Sequence, residues 1–217
     1  MAFDIYRLDD EDYDEDEVYE YRENLLKLFA NSPEGQACAQ EDSGMAFWAQ
    51  VLIDYGHSYT GSTIPLMTED DVEELLTDVF PRKVSLSAPE DADEALPALI
   101  AFWEFLKREY KLANADEILS YLRSVKPAQF KKWMNDSSKF GMAKSFFTMA
   151  QSAGFDLSDE KESEAFVNLY NASRPLSAES DLSPTLEAGG QRKKDAAKAK
   201  RLRKIAKASR KRNRKRK

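Results

Sequence analysis

The stretch ALIAFWEFLKREY, Ala98 to Tyr110, decides the fold of this chain. Leu99, Phe102, Trp103 and Leu106 recur three and four residues apart, which places them on one broad apolar face of an α-helix. Pro97 falls in the first turn of that helix, with Ser87 and Glu90 near its start. A face this wide needs other elements to cover it.

On the N-terminal side, Val18, Tyr21, Leu25, Leu28 and Phe29 mark a first helix to about Ala30. Ser32 and Pro33 supply an N-cap and a first helical position for the next. Phe47, Trp48, Val51, Leu52 and Tyr55 share one side of a third helix, with Gly56 as its stop. Thr68 and Asp71 form a capping box ahead of Val72, Leu75, Leu76 and Val79. That helix is expected to end at Pro81, which disfavours helical geometry at Phe80.

On the C-terminal side, Asn114 precedes a helix through Ile118, Leu119, Leu122 and Val125. Pro127 opens a short one through Phe130, Trp133 and Met134. Ser137 or Ser138 is read as the cap of a helix closing at Gly154. Ser158 is read as the cap of a last one carrying Ala165, Phe166, Leu169 and Tyr170. No segment alternates with period two, so the expectation is all-α: one domain of about eight helices, residues 18–172, with short connections.

The flanks differ sharply in charge. Eight carboxylates lie between Asp9 and Glu17, and residues 1–17 read as an acidic, disordered leader. Residues 173–191, rich in Ser, Pro, Ala and Gly, read as a linker. Residues 192–217 carry sixteen Lys or Arg and one acid, Asp195, for a charge of +15. Residues 1–191 then hold sixteen bases against thirty-eight acids, a charge of −22, and the whole chain of 217 residues carries −7. The modest net charge conceals two oppositely charged objects.

Cys38 is the only cysteine, which excludes an internal disulfide framework and points to a reducing compartment. No basic segment followed by an apolar run opens the chain, and no stretch reaches the length of a membrane span. The expected location is cytoplasmic, or nuclear for a eukaryotic source.

The search for chemistry returns little. His57 is the only histidine; Ser58 beside it does not by itself supply a nucleophile–base geometry, and Cys38 lies in another helix. Gly56 to Thr63, GHSYTGST, has the glycine spacing of a phosphate-binding loop, but Ser62 stands where the lysine belongs and a helix precedes it. One Cys and one His cannot make the usual zinc site. Asp10, Asp12 and Asp14 alternate, yet Glu15 and Tyr21 occupy the positions where a calcium loop needs Gly and Glu. Trp48, Trp103 and Trp133 fall at helical spacing among aliphatic residues and read as core. Glu104 and Asp116 carry no weight as an acid–base pair. No catalytic residue, metal or cofactor is expected.

Four elements carry a family likeness: FPRKVSL (Phe80 to Leu86), LPALIAFWEFL (Leu96 to Leu106), GMAK (Gly141 to Lys144) and GFDL (Gly154 to Leu157). In these the chain resembles an uncharacterised bacterial family of all-helical domains over roughly residues 45–171. The family has no assigned activity, so the resemblance implies a shared fold and no site residues. The acidic leader and basic tail lie outside it.

The tail therefore carries the functional expectation. Ala196, Ala199, Leu202 and Ile205 (or Ala206) form a thin apolar stripe among cations, a pattern that becomes helical when phosphates neutralise the charge. The expected phosphate contacts are Arg192, Lys193, Lys194, Lys200, Arg201, Arg203, Lys204, Lys207, Arg210, Lys211, Arg212, Arg214, Lys215 and Arg216. The expected partner is nucleic acid, RNA ahead of DNA. An anionic membrane ranks lower because Leu202 and Ile205 are a small anchor. The protein's own acidic segments are a third source of negative charge. The reading is a non-enzymatic binding protein tethered to RNA, a ribonucleoprotein or DNA by its tail. The alternative is a protein–protein adaptor or regulator whose tail serves solubility or localisation.

Overall fold

A computed structural model describes residues 3–9, 15–39 and 45–173. In chain order these form α1 (Glu15–Ala30), α2 (Pro33–Ala39), α3 (Met45–Tyr55), α4 (Glu69–Glu74), α5 (Phe80–Lys83), α6 (Ala95–Tyr110), α7 (Ala115–Ser124), α8 (Pro127–Met134), α9 (Met142–Ser152) and α10 (Glu160–Ser173). No strand occurs among the described residues. The all-α reading holds.

Helix α6 is the axis. Leu99, Phe102, Trp103 and Leu106 are sealed from water, and α2, α3 and α7 pack around them. Phe29 of α1 meets Phe102 edge-on at 5.1 Å, and Trp48 of α3 meets Phe130 of α8 at 5.8 Å. The outer faces are tied by ion pairs: Arg22 to Asp54, Arg108 to Glu34, and Arg123 to Glu104.

Local signals set several boundaries. The Ser32 hydroxyl accepts from the Gly35 amide at 3.0 Å and donates to the Phe29 carbonyl, capping α2 while closing α1. A Cβ on Gly35 would lie 2.0 Å from that same carbonyl, so the tight corner requires glycine. The capping box of Thr68 and Asp71 is complete.

Other expectations are corrected. Residues 3–9 are not a disordered leader: Ile5 and Leu8 are buried, the Tyr21 hydroxyl donates to the Ile5 carbonyl, and Phe3 packs on Tyr21. These apolar residues precede the acidic run, whose last members Glu15 to Glu17 form the first turn of α1, where carboxylates suit the helix dipole. Residues 10–14 lie outside the described residues. Helix α3 does not stop at Gly56 but passes into a π turn, Gly56–Thr60, ended by Gly61 in the left-handed region at φ 70°. Leu28, Phe47, Ala165 and Leu169, expected in the core, are exposed. Asp136, not Ser137 or Ser138, caps the turn before α9, and Asp159, not Ser158, caps α10.

Pro81 does not end its helix. Helix α4, a π turn at Leu75–Val79 and α5 run on continuously to Lys83. A proline has no N–H to offer the carbonyl four residues back, which here belongs to Thr77. The Lys139 amine donates to that carbonyl at 2.8 Å. A side chain 62 positions away satisfies the group that the proline leaves open.

Candidate functional site

The end of α5 is where residues about sixty positions apart are tied together by polar contacts. Besides Lys139 on Thr77, the Gly141 amide donates to the Arg82 carbonyl at 3.0 Å. The Lys144 amine donates to the carbonyls of Pro81 and Met134, each at 2.9 Å, and stands 4.1 Å from the centre of the Phe140 ring. A Cβ on Gly141 would come within 2.9 Å of the Arg82 carbonyl, so this approach also selects glycine. Pro81–Arg82 and Gly141–Lys144, remote in sequence, thus form one clamp.

Lys144 is 5% exposed. Burial pushes its ammonium pKa down, to about 8. The carbonyls at the helix end and the ring face pull the other way, since each presents negative charge to the cation. A nucleophilic lysine needs a free lone pair and access for a substrate. Sealed from solvent and donating to two carbonyls, Lys144 is a structural tie.

Beside the clamp, Tyr55 at the end of α3 and Tyr59 in the π turn that follows meet edge-on, their rings 5.4 Å apart. Arg82 and Lys83 lie over the Tyr59 ring at 5.8 and 5.5 Å. Burial, then the neighbouring Tyr59 and Asp54, raises the Tyr55 pKa. Gly56 is buried, and a Cβ there would meet the Met67 methyl at 2.4 Å. The glycines of GHSYTGST therefore serve helix packing and a left-handed turn.

The remaining candidates fall into structural places. His57 is half-buried in the same π turn, and Cys38 is half-buried against the core on α2. Trp48 and Trp103 are sealed in the core, and Trp133 packs against it. Glu104 and Asp116 each hold a cation of their own, Arg123 and Lys107. No group of three His, Cys, Asp or Glu side chains is placed to hold a metal among the described residues. No described helix is long and apolar enough to cross a membrane.

Comparison with known proteins adds nothing to this picture. No protein-family model, curated protein or solved structure matches the chain. All fourteen cations named as phosphate contacts, from Arg192 to Arg216, lie outside the described residues, as do Asp10, Asp12 and Asp14.

Helices α9 and α10 stand apart from the other helices. Phe146 packs on Phe166 and Tyr170 at 4.9 and 5.1 Å, and Phe155 on Phe166 at 5.4 Å. This reversed order of contacts makes the two helices an antiparallel hairpin with a small core of its own. Flanking this core are Met142, Met149 and Leu169, all exposed. The available signal was their spacing: Met142 and Met149 lie seven apart, offset from the Phe146 face.

Proposed function

We propose that this chain is a non-enzymatic binding protein, in which a helical body is tethered to RNA, a ribonucleoprotein or DNA through residues 192–217. The observation that carries the proposal is the segregation of charge, +15 in the last 26 residues against −22 in the rest. Each phosphate neutralised by such an arm releases a counterion, so charge alone supplies affinity without a folded site. Two further features support the reading. Glu104 and Asp116 are each held in an ion pair, and Lys144 donates to two backbone carbonyls. The likeness of PRKV, GMAK and GFDL to an uncharacterised family stands as part of the same proposal, and the mutual docking of the first two suits a shared fold.

Fluorescence anisotropy with a single-stranded RNA of about twenty nucleotides tests it. With six phosphates engaged, affinity is expected to fall by about a hundredfold or more between 50 and 200 mM salt. Deleting residues 192–217 is expected to abolish binding. Binding that survives the deletion, or that ignores salt, overturns the proposal.

The adaptor reading keeps one observation in its favour, the exposed Met142, Met149 and Leu169 on the hairpin. Protein partners that persist after nuclease treatment and arm deletion would favour it.

A further inference from the structure

The exposed flank of the α9–α10 hairpin combines two properties. On a helical wheel, Met142 and Met149 share a side of α9, and the antiparallel pairing sets Leu169 of α10 on that same side. All three are at least half exposed. The turn joining the helices and the start of α10 are acidic: between Asp156 and Glu164 the sequence has five carboxylates and one cation, Lys161. An apolar strip with an acidic end fits a partner that is apolar along one stripe and cationic around it.

We infer that this face binds the chain's own arm, through the stripe Ala196, Ala199, Leu202 and Ile205. Charge decides among occupants. A second copy would bring the same acidic turn against its like, whereas the arm brings sixteen cations. Reach agrees as well. The described chain ends at Ser173, the last residue of α10, and 22 residues separate it from Ala196. A chain of that length can reach at most about 75 Å, so the arm can lie anywhere along the ~21 Å of a 14-residue helix such as α10. A tethered segment at such a distance acts at an effective concentration near the millimolar range.

The contact deepens the proposed function by restraining the arm: nucleic acid must displace the hairpin before it holds those cations. The contact itself does not depend on nucleic acid. An arm docked in 80–90% of molecules would show its affinity for phosphate reduced about five- to tenfold.

The test uses the full chain in two forms, wild type and L202S/I205S, compared by hydrogen exchange of the α9 and α10 amides at low salt. Slower exchange in the wild type, independent of protein concentration and lost at high salt, supports the docking. Equal exchange in the two forms overturns it, and protection that grows with protein concentration overturns it in favour of a second copy. Separately, L169S in the full chain, which removes the apolar contact without adding charge, is expected to tighten binding of the RNA probe about five- to tenfold. An unchanged affinity counts against restraint of the arm. Should no form bind the probe, the nucleic-acid reading fails while the exchange comparison still decides whether the arm docks.

Discussion

Phe102 in the body and Phe166 in the hairpin are the same side chain in two settings. Phe102 is fully enclosed, with Leu99, Trp103 and Leu106 equally sealed along the same helix. Phe166 is enclosed too, by the rings of Phe146, Phe155 and Tyr170 within the hairpin, but Leu169, one turn away, is 54% exposed. The body from Phe3 to Met134 is held by burial of apolar area. The segment from Lys139 to Ser173 has a small core and is tied to the body by polar contacts to backbone, from Lys139, Gly141, Lys144 and the Gln151 amide on the Ser87 carbonyl. One region is cohesive, and the other is attached.

If this contrast is correct, F102A is the most damaging change, costing about 3–5 kcal/mol and shifting the urea midpoint of the whole body. F166A should instead leave the body's transition in place and abolish exchange protection of α9 and α10. A common shift of both regions would break the distinction. Next in size is K144A, which leaves the carbonyls of Pro81 and Met134 without their donor and should cost about 2–4 kcal/mol, read as early loss of the hairpin in a denaturant series.

The pH profile sharpens the same point. With its folded pKa pushed to about 8 against an ordinary value near 10.4, Lys144 binds a proton more weakly folded than unfolded. Stability should therefore rise as pH climbs from about 8 to 10. Above pH 10 the sign reverses, because burial raises the Tyr21 pKa and lifts that of Tyr121 to about 12, so the unfolded chain loses those protons first. Thermal melts across this range should show the rise in wild type and lose it in K144M. The smallest effect belongs to the body's surface: T68A removes one half of the capping box at α4 and should cost about 1 kcal/mol in the same melts.

The sequence exposed the body better than the attachment, for physical reasons. Leu99, Phe102, Trp103 and Leu106 announce a helix because apolar burial follows the helical period. Thr68 and Asp71 announce a helix start because a capping box is local. Lys139 and Lys144 act over about sixty residues, and a lysine in sequence carries no mark of whether it faces water or a carbonyl. The one hint was Pro81, which obliges some donor to find Thr77. The cations of the arm were legible as composition, while whatever they grip lies in another molecule or another part of this one.

The π turn at Leu75–Val79 has a consequence for how the hairpin is aimed. Such a turn is one residue too many for α geometry, and one residue is about 100° of rotation. Every carbonyl after Val79 is therefore phased a third of a circle away from where an unbroken helix would point it. The direction in which Pro81 and Arg82 offer their oxygens, and with it the side of the body where α9 docks, is set by a single surplus residue in the preceding turn.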